Sequence, residues 1–394
     1  MLRRRLHAPT AESPPDAETR RWRLSVTVLT AWVLAGFVSL LPALRPLFHW
    51  QYSDLTLLYT ARHLATHALP YLQQPIEYPV LLGWWLWLTA WAPGGETGYV
   101  IANALGLWGS AIAILWLLSK VVPRHYHWFA WSPLLLPYAS LNWDLLGIAA
   151  LSAAWYAWQR RRAGWAGFWL AIGVAIKFFP VIAWPFMAYG SWQRGDRVLA
   201  VRMTIVMGAV WTLVNLPMMA RAPSNWAWFF RFNAERPVGS DLWWLLRLAP
   251  GLSIRQVDAF SLMVVLLAAT LALAAMRFGL RAREATALVF VVFLAVNKVF
   301  SPQYMLWAYT VAILAEWPVW TLAVLTVGGL VDAVNTFGAF LTAFDRTHGH
   351  RGQGAWWAAF YPWGIGVRYG ALLLSAAGSH ECPASHEAIH VTPP

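Results

Sequence analysis

The sequence predicts an all-α polytopic membrane protein, and three observations lead to this fold class. Hydrophobic residues make up 59% of the 394 positions, whereas Asp, Glu, Lys and Arg make up only 12%. Apolar stretches recur from residue 24 almost to the C-terminus, and many approach the length of a transmembrane helix. The basic residues, which give a net charge of +12, cluster between these stretches. Together these features exclude an ordinary soluble globular domain.

Charge placement and cysteine content exclude two further classes. Arginines between apolar stretches act as topology signals beside anionic membrane lipids, so we expect no nucleic-acid partner. The single cysteine, Cys382, excludes a disulfide framework and a thiolate metal cluster.

The chain divides into one membrane domain and two tails. Residues 1–23 are rich in Pro, Glu and Arg and predict a disordered, retained cytoplasmic tail, because no signal-peptide core with a cleavage site follows. Residues 24–377 predict the transmembrane domain, with a first external loop at 43–97. Residues 378–394 predict a second cytoplasmic tail.

Hydropathy predicts about twelve transmembrane helices, since a crossing needs about 20 apolar residues. The expected spans are 24–42, 98–119, 126–140, 142–159, 165–180, 181–191, 198–217, 257–277, 284–299, 303–316, 319–340 and 361–377. Two of these, 181–191 and 303–316, are short, and full crossing by them stays open.

Residues 80–92 decide the topology, because hydropathy alone makes them a further span. If they lie in the interface, the N-terminal arginines and four later basic clusters all fall on the cytoplasmic side. These make up more than half of the 29 lysines and arginines, as the positive-inside rule favours. Four tryptophans in this stretch also suit a helix at headgroup depth. We therefore expect a juxtamembrane helix here, cytoplasmic termini, and a shared external face for the polar segments.

Asp54 is the strongest candidate for chemistry on that external face. It closes the string Tyr52-Ser53-Asp54 after the first span, where a charge is costly unless it has a role. A carboxylate there suits a general base toward a hydroxyl nucleophile, with partial burial tuning its pKa. A helix N-cap is the alternative, because Ser or Asp often precedes a helix.

Further acidic and polar residues predict substrate contacts on the same face. Glu77, with Tyr78, either binds a sugar hydroxyl, pairs with an arginine or begins a helix. Asp144, with Asn142, lies between two apolar runs, where a tight turn explains it as well as a binding site does.

Lys177 and Lys298 lie near the external ends of apolar runs, against the inside bias of basic residues. A cation held there suits the phosphate of a lipid-linked substrate, and snorkelling to the interface is the alternative. Near Lys298, Gln303 and Tyr304 suit sugar or phosphate recognition.

The external loop 219–256 mixes hydrogen-bonding and aromatic side chains, as carbohydrate binding requires. Its members are Trp226, Trp228, Arg231, Asn233, Glu235, Arg236, Ser240, Asp241, Trp243 and Trp244. An interfacial loop with an aromatic belt is the alternative.

Two other groups favour structural roles. His348, His350 and Asp345 lack convincing further ligands, which favours a flexible loop over a metal site. Asp332 and Asn335 share one face of an expected span, which favours a buried structural contact over a proton relay.

Together the motifs resemble glycosyltransferase family 87, the polyprenyl-phosphate-mannose-dependent transferases of the GT-C superfamily. The resemblance lies in Tyr52-Ser53-Asp54, Leu69-Pro70-Tyr71, Glu77-Tyr78-Pro79-Val80-Leu81, Asn142-Trp143-Asp144-Leu145-Leu146, Ala175-Ile176-Lys177-Phe178-Phe179-Pro180 and Phe300-Ser301-Pro302-Gln303-Tyr304. Each motif alone is weak, but the ordered set covers most of the chain. It implies the GT-C fold, with juxtamembrane helices before a bundle around an outward-facing cavity.

The resemblance also implies an inverting sugar transfer, with mannose as the expected sugar and glucose or arabinose left open. A polyprenyl-monophosphate donor passes its sugar to a lipid or glycolipid acceptor on the extracytoplasmic face of the cell membrane. Asp54 aligns with the family's general base, and Lys298, Lys177 and Arg236 are expected, in that order, at the donor phosphate. A monophosphate linkage needs no metal bound to a pyrophosphate, so we expect no metal and no cofactor.

Two other function classes stay open. A lipid-linked sugar flippase would use the same cavity without chemistry, although transporters often carry internal repeats and none is visible here. A structural subunit of a cell-envelope synthesis complex would leave Asp54 unexplained.

Overall fold

The computed structural model describes residues 17–44, 47, 52–239, 241–248, 251–347 and 354–381, and their side chains except those of 339–359 and 380–381. Within these ranges the chain is helical and contains no β-strand, which confirms the all-α prediction. In chain order the helices are α1 (Ala17–Val38), α2 (Asp54–Ala61), α3 (Val80–Ala90), α4 (Glu96–Val121), α5 (Tyr126–Trp131), α6 (Leu135–Tyr138), α7 (Asp144–Gln159), α8 (Ala163–Ile176), α9 (Ala183–Gln193), α10 (Arg197–Arg221), α11 (Pro223–Trp226), α12 (Trp228–Glu235), α13 (Leu242–Leu245), α14 (Ile254–Met276), α15 (Ala282–Val296), α16 (Tyr304–Leu314), α17 (Val319–Thr347) and α18 (Gly354–Ala377).

By length and composition, α4, α10, α14 and the Val319–Gly338 part of α17 are able to cross a membrane. Shorter apolar helices are α3, α8 and α16. On α14 the large side chains of Phe260, Leu266 and Leu271 are exposed, and an apolar surface of this kind needs lipid or protein to cover it. These features indicate a membrane-embedded helical protein.

Each expected span coincides with a helix or a pair of helices. The stretch 126–140 is divided into α5 and α6 around Pro133, because proline lacks the N–H that continues a helix. Helix α1 begins at Ala17, so residues 17–23 of the expected N-terminal tail are helical. Residues 1–16 and 382–394 of the two expected tails lie outside the described part of the chain.

Helix α3, the stretch expected at the interface, has 11 residues and begins directly after Pro79. At 1.5 Å per residue it is about 16 Å long, roughly half of a ~30 Å hydrocarbon core. Trp87 packs edge to face on both Trp84 and Trp91, and its indole N–H donates to the carbonyl of His67. The helix is therefore too short to cross alone and is tied to the loop before it.

The segment between α2 and α3 folds back on itself. Arg62 Nε lies 2.8 Å from Glu77 Oε2, which joins the two ends of the segment. The buried Tyr71 donates its hydroxyl proton toward the carbonyl of Tyr78 at 2.9 Å. A Cβ at Gly83 would lie 2.2 Å from the Tyr71 hydroxyl, so glycine permits this ring to pack on α3.

Helices α7, α8 and α16 form the inner layer of the bundle. The side chains of α16 from Met305 to Leu314 are all buried, and so are most of those of α7. Helix α8 packs between α7 and α10. A Cβ at Gly167 would lie 2.3 Å from the carbonyl oxygen of Met203, so glycine permits the close approach of α8 and α10. This packing sets the N-terminus of α7 beside the C-terminus of α8.

Candidate active site

Asp54 is the first residue of α2, but Ser53 caps the helix. The Ser53 hydroxyl accepts the N–H of Leu55 at 3.2 Å and donates to the carbonyl of Ser140 at 2.6 Å. The Asp54 N–H donates to the carbonyl of Leu141 at 2.9 Å. The cap expected as the alternative role of Asp54 is thus supplied by Ser53, which leaves the Asp54 carboxylate available to the site.

Two donors hold the half-buried Asp54 carboxylate. The Tyr52 hydroxyl donates to Oδ1 and Asn142 Nδ2 donates to Oδ2, both at 2.5 Å. Burial raises the pKa of Asp54, and the hydrogen bond from Tyr52, the charge of Lys177 and the hydrogen bond from Asn142 oppose that rise. Burial and the nearby carboxylate raise the pKa of Tyr52, so its hydroxyl keeps the proton that it donates. A mostly buried but still accessible carboxylate with a raised pKa suits a general base.

The orientation of the Asn142 amide follows from its neighbours. Lys177 Nζ is only a donor and lies 2.6 Å from Asn142 Oδ1, which also accepts the N–H of Trp143 at 2.6 Å. The amide nitrogen must therefore point away from Lys177, toward Asp54 and the Tyr78 hydroxyl, which it meets at 3.0 Å. Asn142 thus bridges Lys177 and Asp54, accepting from the first and donating to the second.

Lys177 is fully engaged inside the protein. Its ammonium lies 3.0 Å from Asp144 Oδ1, and the exposed fractions of the two side chains are 8% and 1%. The same ammonium lies 4.7 Å from the ring centroid of Tyr78, within cation–π distance. Lys177 thus donates one hydrogen bond to Asn142, pairs with Asp144 and lies over the Tyr78 ring, which together neutralise its charge inside the protein.

Trp143 and Asn103 support this cluster from the core. Asn103 Oδ1 accepts the indole N–H of Trp143 at 2.6 Å and that of Trp85 at 2.9 Å. The buried Trp143 ring meets Tyr78 edge to face at 5.7 Å. Because these residues come from α3, α4 and the start of α7, the network fixes the three elements around Asp54.

Arg236 is a second cation, besides Lys177, whose charge reaches Asp54. It follows α12 in the loop 219–256 and its side chain is exposed. Its positive charge acts on Asp54, Tyr52 and Tyr304. None of the ion pairs in the described part of the chain includes Arg236, so it is available to an anion.

Lys298 forms an ion pair with Asp258, a residue of α14. Its Nζ lies 2.7 Å from Asp258 Oδ2 of α14 and 3.0 Å from the carbonyl oxygen of Ala234, and its side chain is 5% exposed. Ala234 lies at the end of α12, two residues before Arg236. Lys298 therefore anchors the segment that carries Arg236.

A narrow aromatic crevice adjoins Tyr78. Its walls include Tyr71, Tyr78, Phe178, Trp211, Trp226, Phe229 and Phe230. Asn225 Nδ2 donates to the carbonyl of Tyr71 at 2.8 Å, which ties the loop 219–256 to the first external loop. The structure thus brings two of the expected external segments together beside the Asp54 cluster.

Three other residues predicted to contact the substrate are Glu77, Tyr304 and Gln303, and each has a different environment. Glu77 pairs with Arg62, which is one of the alternatives expected for it. Tyr304 stacks on Trp307 at 3.9 Å between ring centroids and lies within electrostatic reach of Asp54. Gln303 is buried beside it at the start of α16.

Asp332 forms the expected buried contact, but with a different partner. Arg368 Nη1 of α18 lies 3.1 Å from Asp332 Oδ2, and each side chain is 1% exposed. Asn335 instead donates to the carbonyl of Tyr361 at 3.0 Å. The reason is that α17 packs along α18, so both polar residues meet that helix instead of each other.

Four residues that pair with or orient the predicted residues were not predicted from the sequence. They are Arg62, Asn103, Asp258 and Arg368. Asp258 and Arg368 each placed a charge in an apolar run, which was a readable signal. Their partners were not readable, because helices distant in sequence supply them. Among the described residues no group of three His, Cys, Asp or Glu side chains is arranged to hold a metal ion, and His348 and His350 lie outside them.

Comparison with protein-family models, with curated proteins and with solved structures finds no match for this chain. The functional assignment therefore depends on the chemistry of the Asp54 cluster.

Proposed function

We propose that this protein is an integral membrane glycosyltransferase of the GT-C type. It transfers a hexose, which we expect to be mannose, from a polyprenyl-monophosphate donor to a lipid or glycolipid acceptor. The apolar helices and the motifs that resemble family 87 support this proposal. About twelve spans, a multi-pass location in the cell membrane and an extracytoplasmic active site belong to the same proposal.

The observation that carries the proposal is a carboxylate that accepts two hydrogen bonds and lies within electrostatic reach of an exposed cation. Asp54 receives hydrogen bonds from Tyr52 and Asn142 and remains partly exposed. Arg236 acts on Asp54 electrostatically and has no carboxylate partner within the described residues. Transfer from a lipid phosphate requires this combination, because a hydroxyl must lose a proton while a phosphate gains charge.

In the proposed reaction, Asp54 takes the proton of an acceptor hydroxyl as the hydroxyl oxygen attacks the anomeric carbon. The bond between that carbon and the phosphate oxygen breaks, and the oxygen leaves with the bonding electron pair. Polyprenyl phosphate departs with its added negative charge beside Arg236, where a positioned cation stabilises the transition state. Attack opposite the leaving group inverts the configuration, so a β-linked donor gives an α-linked product.

The contacts change the order of the proposed phosphate ligands. Arg236 comes first, because it is exposed and unpaired within the described residues. Lys298 pairs with Asp258, and Lys177 pairs with Asp144 and orients Asn142, so both support the site from inside. The sequence predicts Lys298 as the first phosphate ligand. We instead propose that Lys298 positions the segment that carries Arg236.

The aromatic crevice beside Tyr78 is closed to a substrate as it stands. Its walls are mostly aromatic, but its volume is only about 10 Å³, about enough for one water, so an isoprenoid chain or a sugar ring would enter only after the crevice opens. Glu77, Tyr78, Gln303 and Tyr304 remain proposed contacts for the sugar or its phosphate, and of these Tyr78 lines the crevice. Asn142 and Asp144, also expected as substrate contacts, are buried and engaged with Asp54 and Lys177.

The decisive experiment measures transfer of radiolabelled mannose from polyprenyl phosphate in membranes that contain the protein. The wild type is compared with Asp54→Asn, which keeps the shape of the side chain but removes the base. Glu96→Gln, at the start of α4, is the matched control for loss of a carboxylate. We expect the loss of about 10²-fold or more of the transfer rate in Asp54→Asn alone, as for removal of a general base.

Equal donor consumption by the wild type and Asp54→Asn would refute the base assignment. Addition of EDTA tests the expected metal independence, and a loss of transfer that Mg²⁺ restores would refute it.

The alternative is a flippase for the same lipid-linked sugar. Polar groups held beside an aromatic crevice suit binding as well as chemistry. Movement of the intact donor across vesicles without its consumption, in both the wild type and Asp54→Asn, would establish the flippase instead.

A further inference from the structure

A second candidate site lies at the opposite end of α8 from Lys177. An open pocket of about 730 Å³ is formed where the starts of α8 and α10 meet. Helix α8 has 14 residues, so about 20 Å of helix separate this pocket from the Asp54 cluster. The pocket volume is within the range of small-molecule and lipid sites, about 300–1,000 Å³.

The pocket combines a basic rim with an apolar wall. Arg161, Arg162 and Arg202 contribute to the rim, and Trp165 and Phe168 contribute to the wall. The wall continues along one face of α10 through Val198, Leu199 and Val206.

Two of the three rim arginines have no ion-pair partner in the described part of the chain. Arg161 lies 3.8 Å from Asp196 Oδ2, and Asp196 also caps α10 by accepting the N–H of Leu199. Arg162 and Arg202 are exposed and have no such carboxylate. The rim therefore carries an excess of positive charge that an anionic group is able to neutralise.

A second apolar groove of about 330 Å³ adjoins the first pocket. It lies between α4, α7 and α8, and its walls include Trp116, Tyr156 and Trp169. Arg162 and Trp165 belong to the lining of both cavities. Trp165 thus divides two apolar grooves that converge on one arginine.

We propose that this double groove binds a diacyl anionic phospholipid. The phosphate lies between Arg162 and Arg202, and one acyl chain enters each groove on either side of Trp165. A single anionic head with two apolar chains matches the charge and the two grooves at once. Basic pockets between membrane helices bind anionic head groups in this way. The inside bias of basic residues places the site in the cytoplasmic leaflet, and the proposal does not depend on the glycosyltransferase assignment.

The test is native mass spectrometry of the purified full-length protein in detergent, titrated with dioleoyl-phosphatidylglycerol or dioleoyl-phosphatidylcholine. The test variant is Arg162→Gln with Arg202→Gln. The control variant, Arg221→Gln with Arg255→Gln, removes the same charge from exposed arginines that line neither groove. We expect saturable binding of phosphatidylglycerol that is about 30-fold weaker in the test variant and unchanged in the control.

Unchanged phosphatidylglycerol affinity in the test variant would overturn the proposal. Equal binding of the two lipids by the wild type would also overturn it, because ordinary boundary lipid would explain that result. If the double variant does not fold, Arg202→Gln alone is expected to weaken binding about fivefold.

A third titration uses lysophosphatidylglycerol, which has one acyl chain. We expect it to bind at least tenfold more weakly than the diacyl lipid, because it leaves one groove empty. Equal affinity of the one-chain and two-chain lipids would refute the assignment of a chain to each groove.

Discussion

Replacing Asn142 by leucine tests whether this amide sets the basicity of Asp54. The substitution keeps a similar volume but removes the donor that meets Asp54 Oδ2 at 2.5 Å. It also removes the oxygen that accepts from Lys177, whose ammonium keeps its ion pair with Asp144. That hydrogen bond stabilises the ionised carboxylate, so its loss raises the pKa of Asp54 further. Because a general base works only when deprotonated, the acidic limb of the pH–rate profile must move to higher pH.

The magnitude follows from the strength of the lost contact. A hydrogen bond to a charged group contributes about 1.5–3 kcal/mol, and about 1.4 kcal/mol corresponds to one pH unit. Asp54 is partly exposed, so water replaces part of the lost bond. We therefore expect the limb to move by about one pH unit, with a transfer rate about tenfold lower below it and a recovery above it.

The assay is mannose transfer measured from pH 5 to pH 9, with Asn335→Leu as the control. Asn335 is also a buried asparagine, but it bonds to Tyr361 between α17 and α18. Its replacement should leave the shape of the profile unchanged. A uniform loss of rate at every pH in Asn142→Leu would refute the reasoning, because it would show that Asn142 orients the site without tuning the base.

Three further predictions follow from the contacts. Lys177→Met should lower the free energy of unfolding by about 3–5 kcal/mol, because it leaves the buried Asp144 without its cation. Thermal unfolding in detergent measures this loss, and an unchanged stability would contradict the prediction. Arg236→Gln should lower kcat for transfer about 10²-fold without loss of folded protein, and a larger kcat effect from Lys298→Gln would reverse their proposed roles. Arg368→Met should destabilise the protein by a similar 3–5 kcal/mol while the remaining folded fraction keeps its transfer rate, and a specific loss of activity would contradict a structural role.

The sequence alone was sufficient for the fold class and for most of the helices. Long apolar stretches form helices because backbone polar groups in an apolar environment must bond within the segment. Hydropathy therefore located the apolar helices, including the short α3. It did not locate α2, α11, α12 and α13, which are short helices within the segments expected as external loops. Pro133 divides one stretch into α5 and α6, and the polar start of α1 continues as helix beyond the apolar run.

The candidate base was also readable from the sequence, because a carboxylate beside an apolar span is costly and Asp54 stood out for that reason. Which cation is available to a phosphate was decided only by the tertiary structure. The sequence ranked Lys298 before Lys177 and Arg236, but Asp144 and Asp258 neutralise the two lysines and the arginine is exposed. These ion pairs join residues from separate helices, and a charge pattern along one chain does not specify which helices will pack together.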